Sequence, residues 1–151
     1  RQVRLLTILL ACIALAGCAT KSPFLDSDPA LQIEGATAGN DAERRLGVSY
    51  VSAKYVKGGN HEVRKGNLSR LADLLEDAGS PGHTGRLFND TMQAILDRQN
   101  LEPEDKALVQ YLIDKLTVRV GDLDLPLTDE QRRVIGVYAD ALREAAAADY
   151  S

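Results

Sequence analysis

Tryptophan is absent from this chain, methionine occurs once and phenylalanine twice. With aromatic residues at 5% of the sequence, leucine, valine, isoleucine and alanine must build whatever core it has. The shortage also leaves few rings to hold a sugar substrate. Both cysteines, Cys12 and Cys18, fall near the start. The chain beyond them therefore has no disulfide of its own, and its stability must come from apolar burial. The longest apolar stretch, residues 5–15, is eleven residues long, whereas a bilayer-spanning helix needs about 20. No later segment reads as a span. Basic residues are outnumbered, 18 against 22 acidic, which argues against a nucleic-acid partner.

What is present begins with an address. Arg1 and Arg4 precede the apolar stretch and small residues follow it, the layout of an export signal. An arginine rather than a methionine at position 1 leads us to expect that the initiator precedes it. The stretch ends in Leu15-Ala16-Gly17-Cys18, which resembles the lipobox of bacterial lipoproteins. That resemblance implies diacylglyceryl transfer to the Cys18 thiol, cleavage before Cys18 and acylation of the new amino terminus. Cleavage would leave 134 of the 151 residues and, with Arg1 and Arg4 gone, take the formal net charge from −4 to −6. Ala19, rather than aspartate, follows the cysteine. By the same resemblance this points to the outer membrane, facing the periplasm, if the host is Gram-negative.

Three parts are expected: a signal peptide over residues 1–17, the lipidated Cys18 with a flexible tether over 18–39, and a helical domain over 40–151. The tether scatters proline, serine, aspartate, glycine and threonine without an apolar period, and about 20 such residues span roughly 25 Å. Phe24, Leu25, Leu31 and Ile33 interrupt it as possible docking points on the domain or the membrane surface.

From Asn40 the punctuation becomes regular. Asn40-Asp41-Ala42-Glu43 resembles a capping box and Gly58-Gly59 a stop, predicting a helix to about Lys57 with Leu46, Tyr50 and Ala53 on one face. Residues 48–56 are also rich in β-branched residues and tyrosine, so a strand stays open there. Asn67 predicts a cap for a second helix over residues 68–78. Thr84 predicts a cap for a third, with Phe88, Met92, Ile95 and Leu96 inward. Pro103 suits the first turn of a fourth, whose inward set is Val109, Leu112, Ile113, Leu116 and Val120. Thr128-Asp129-Glu130-Gln131 opens a fifth, with Val134, Tyr138, Ala141, Leu142 and Ala145 in line. Short connections predict antiparallel neighbours. The expected fold class is all-α, a small bundle of four or five helices.

Chemistry is harder to find. His61 and His83 are the only histidines. Residues 61–65 begin like a zinc-protease motif but lack its second histidine, and both histidines are expected in solvated loops. Asp122, Asp124, Asp129 and Glu130 crowd one connection without the ligand alternation or central glycine of a calcium loop. No serine sits in a nucleophile elbow. Arg64, Lys65 and Arg70, with Lys54 and Lys57 upstream, form a basic cluster that could touch anionic lipid or an acidic partner; a solvated loop and helix start is the reading we prefer. No catalytic residue, metal ligand or cofactor is expected beyond the covalent lipid on Cys18.

The chain as a whole resembles small lipoproteins of tailed phages and prophages. The likeness is carried by the lipobox, the short tether, the run Ser49-Tyr50-Val51-Ser52-Ala53-Lys54-Tyr55-Val56 and the run Leu101-Glu102-Pro103-Glu104-Asp105-Lys106-Ala107-Leu108-Val109. It implies an origin rather than a mechanism. The expectation is a non-enzymatic module moored to the membrane by acyl chains and binding another envelope protein, as in superinfection exclusion or an accessory role. The alternatives are an envelope enzyme acting on peptidoglycan or lipid, and a carrier with an apolar cavity among its helices.

Overall fold

Asn40 sets the first helix: its side chain accepts from the Glu43 N–H at 2.8 Å, satisfying one of the donors that a helix start leaves open. The computed structural model describes residues 40–151. Cys18, the tether and its apolar residues Phe24, Leu25, Leu31 and Ile33 lie outside the described residues. Five helices follow in order: α1 (Asp41–Lys57), α2 (His61–Ala78), α3 (Gly85–Leu96), α4 (Pro103–Val120) and α5 (Asp129–Ala147). The architecture is all-α, as the capping pattern predicts, and residues 48–56 are helix rather than strand.

Two expectations need correction. The face of α1 that carries Leu46 and Tyr50 is turned outward, with Leu46 69% exposed. The buried arc is Gly47, Val48, Val51, Ser52, Tyr55 and Val56, together with Arg44. Glycine, serine and arginine in that arc hide it from a hydrophobicity pattern. The second difference is where α2 begins. Asn60, not Asn67, caps it, accepting from the Val63 N–H at 3.0 Å. Gly66 makes the first turns look like a loop, because glycine costs about 1 kcal/mol relative to alanine inside a helix. Burial of Arg64 offsets that cost.

The later helices start where their caps predict. Thr84 accepts from the Leu87 N–H at 3.1 Å. Thr128 and Gln131 bond reciprocally, at 2.9 and 3.1 Å. Gln131 does more: its Nε2 donates to the Arg119 and Val120 carbonyls at 3.2 and 3.1 Å. One side chain thus opens α5 and satisfies the end of α4. Gly121, at φ +70, turns the chain out of α4.

Among sequence neighbours, α3 and α4 pack well. The largest interface, however, joins α2 to α5, and the next joins α1 to α5. Both pair elements far apart in sequence, so adjacency by short loops describes only part of the bundle. α5 can serve two partners because its buried arc is wide, from Val134 and Ile135 through Tyr138, Ala139 and Leu142 to Ala145. Leu68, Leu75, Leu112, Leu116 and Leu142 are fully enclosed, each contributing roughly 2 kcal/mol by transfer from water.

Arginines clip the rim of these interfaces. Arg143 of α5 binds Asp73 and Glu76 of α2, at 2.8 Å to each. Arg45 of α1 reaches Glu144 at 2.8 Å, and Arg133 bonds Asp41 and Glu130. The Arg143 guanidinium holds the Glu76 carboxyl below its ordinary range, and Arg133 does the same for Asp41.

Among the described residues two buried side-chain oxygens lack a hydrogen-bond partner, Glu43 Oε2 and, in the core, Ser52 Oγ. An unpaired buried hydroxyl is destabilising, so Ser52→Ala should raise the unfolding free energy by about 1 kcal/mol in urea denaturation. A loss of stability would show that the hydroxyl is paired in solution.

Candidate functional site

Tyr55 lies near the end of α1, where its ring is fully enclosed and its hydroxyl meets two other helices. The hydroxyl donates to Asp105 Oδ1 in the first turn of α4 and accepts from Asn67 Nδ2 of α2 at 2.9 Å. The other oxygen of Asp105, Oδ2, accepts the Glu102 backbone N–H at 3.1 Å. Arg64 completes the junction. Its NH1 donates to the Tyr55 carbonyl at 2.5 Å, its guanidinium carbon lies 4.8 Å from the Tyr55 ring centre, and its NH2 sits 3.6 Å from Glu102 and 3.9 Å from Glu104. Gly58 and Gly59 make room for this crossing: a Cβ on Gly59 would come within 2.4 Å of Arg64 Nε.

Beside the junction opens a cleft of about 270 Å³ between α2, the end of α3 and the start of α4. Leu71, Leu74, Ile95, Leu101, Leu108 and Val109 provide its apolar lining, and Tyr55, Asn67, Asn100, Asp105, Arg70 and Arg98 its polar one. It is an open, mixed cleft rather than an enclosed apolar void.

The structure distributes the sequence-predicted residues widely. Cys18 is outside the described residues. His61 is the first residue of α2 and sits edge-on to Tyr150, with ring centres 6.3 Å apart. His83 lies beyond the other end of α2, its Nδ1 3.2 Å from the Ala78 carbonyl oxygen. The 18 residues of α2, at 1.5 Å each, hold the two histidines roughly 27 Å apart. Neither lines the cleft. Among the described residues no three His, Cys, Asp or Glu side chains gather in a way that would hold a metal ion.

The basic cluster is helical, not a solvated loop, and its members part company. Arg64 is buried in the junction, Lys65 lies over the Tyr150 ring at 5.7 Å, and Arg70 lines the cleft. The acidic connection after α4 pairs with the entry to α3 instead: Arg86 N–H donates to the Leu123 carbonyl at 3.1 Å, and Leu127 N–H to the His83 carbonyl at 2.8 Å. Asn89 Nδ2 donates to the Gly121 carbonyl at 2.8 Å. Gly85 allows this approach, since a Cβ there would stand 2.8 Å from the Val120 and Gly121 oxygens. Leu87, Leu123 and Leu125, close to this pairing, are exposed.

No family model, curated protein or solved structure matches the chain. No described helix is long and apolar enough to cross a membrane.

Sequence reasoning missed the junction and the cleft. Tyr55 and Asp105 are 50 residues apart, and neither belongs to a spaced motif. Chemically, the junction holds its protons. Burial, and then the bond to Asp105, push the Tyr55 hydroxyl well above its ordinary value of 10. A phenol whose folded value is raised contributes stability that is fully present below pH 10 and is lost as pH rises towards the folded value. Burial raises Tyr150 in the same direction. Unfolding free energy should therefore fall as pH climbs above 10, and Tyr55→Phe should fall less steeply. Equal slopes in denaturant titrations of the two proteins would contradict the assignment.

Proposed function

We propose that this protein is a lipid-anchored, non-catalytic interaction domain of the bacterial envelope. The observation that carries the reading is Leu15-Ala16-Gly17-Cys18 at the end of an eleven-residue apolar stretch preceded by Arg1 and Arg4. Attachment is assigned to acyl chains on Cys18, at the outer membrane and on its periplasmic side. The partner is another envelope protein. The exposed leucines at the α3 entry, Leu87, Leu123 and Leu125, support this as a surface that protein contact would cover. Resemblance to small phage lipoproteins brings superinfection exclusion and envelope accessory roles within this reading.

Fractionation of a Gram-negative host expressing the full chain tests it. The protein should sediment with the outer membrane and be released by detergent but not by high salt. Recovery in the soluble periplasmic or cytoplasmic fraction would overturn the reading.

A further inference from the structure

The cleft beside Tyr55 has a charge pattern that neither the fold nor the anchor uses. Most arginines of the domain are committed to partners: Arg44, Arg45, Arg132, Arg133 and Arg143 to carboxylates, and Arg64 to the Tyr55 carbonyl. Among the described residues, Arg70, Arg86 and Arg98 have neither an ion pair nor a side-chain hydrogen bond, and two of these three line the cleft. They approach it from different elements, Arg70 from α2 and Arg98 from the connection just after α3. Asp105, the one carboxylate in the lining, has both oxygens engaged, by Tyr55 and by the Glu102 N–H. Two unpaired guanidiniums against this one carboxylate, whose partners are neutral, leave the lining with a net positive charge beside an apolar wall.

We propose that this cleft binds a small anionic amphiphile, an oxyanion head on a short alkyl chain. The head is held by the Arg70 and Arg98 guanidiniums, whose planar forks suit two-oxygen acceptors. The Asn67 and Asn100 amides stand beside them as neutral polar groups. The chain lies along Leu71, Ile95, Leu101 and Leu108. Size limits the ligand: 270 Å³ is slightly below the usual range for ligand pockets, and at about 30 Å³ per water-sized group it holds roughly nine such groups. Octanoate is of that size. A cationic head would meet two guanidiniums, and a bare alkane would leave both without a counter-charge. The proposal is independent of the anchor, because it uses only the helical domain's residues.

The test uses the isotope-labelled full chain in nanodiscs, with empty nanodiscs as the background for partitioning. Sodium octanoate and octyl phosphate should each give saturable NMR shifts at the Arg70 and Arg98 side chains and at the Leu71 and Leu101 backbone; the stronger of the two identifies the head group. Octylammonium and acetate should bind at least tenfold more weakly than that ligand. Arg70→Gln with Arg98→Gln should weaken binding at least tenfold while leaving the thermal midpoint unchanged, since both side chains are exposed and unpaired. Arg86→Gln, the third uncommitted arginine but outside the cleft, should bind as the wild type does. Failure of both anionic amphiphiles to give saturable shifts would overturn the proposal. So would equal binding of octylammonium, equal binding of acetate, or undiminished binding by the double variant.

Discussion

Replacing Arg64 with alanine is expected to destabilise the domain by about 3 kcal/mol, measured as a lower midpoint in urea at unchanged slope. The side chain is 9% exposed and joins three elements at once. It donates to the Tyr55 carbonyl near the end of α1, stacks on the Tyr55 ring and faces Glu102 and Glu104 at the start of α4. Losing the donor leaves a helix-terminal carbonyl short of a partner, at a cost of about 1–3 kcal/mol. Losing the stacked cation removes roughly another 1 kcal/mol. The longer ion pairs to Glu102 and Glu104 add little, because exposed carboxylates are well solvated. Arg64→Lys should recover only part of the loss, since an ammonium cannot both stack as a plane and donate as a fork. Gly59→Ala should destabilise by a related route, by placing a methyl where Nε now passes. A change below about 1 kcal/mol for Arg64→Ala would mean that the junction does not hold these helices together.

Cys18→Ser is expected to abolish lipid attachment. A hydroxyl is a far weaker nucleophile than a thiolate at neutral pH, so serine cannot take the diacylglyceryl group. Each buried methylene contributes about 0.8 kcal/mol, and a single myristoyl chain binds only marginally. Two or three chains on one residue would hold the protein effectively for good, and none would leave it free. Metabolic labelling with palmitate should mark the wild type and not the variant, with loss of the variant from the membrane fraction or retention of its uncleaved signal. Cys12→Ser, a change inside the apolar stretch, should label normally and so separates a lipid-specific effect from a general failure of export. Normal label in Cys18→Ser would overturn the assignment.

How much of this was legible in the sequence differs from element to element. α3, α4 and α5 announce themselves because their caps are side chains in fixed register with an apolar period: Thr84 with Phe88, Met92 and Ile95; Pro103 with Leu112 and Leu116; Thr128 with Gln131. α1 misleads because its core arc includes Gly47, Ser52 and Arg44 while Leu46 and Tyr50 face water. α2 misleads because two asparagines compete as caps. The true start at Asn60 is held by the burial of Arg64, a tertiary contact that no local pattern contains. The dominance of the α2–α5 and α1–α5 interfaces is equally non-local. The cleft was illegible for the same reason: Tyr55, Asn67, Arg98 and Asp105 come from separate helices and connections, and none is unusual in its own segment. The proposed role of Cys18, by contrast, is read from its immediate neighbours alone, and it lies outside the described residues.

The most direct measurement is the mass of the mature amino-terminal peptide, taken from protein extracted from membranes with detergent and digested with a protease. The account predicts a peptide that begins at Cys18 and carries a diacylglyceryl group on sulfur with an acyl chain on the new amino terminus. A free Cys18 thiol, or an amino terminus at any other residue, would contradict it.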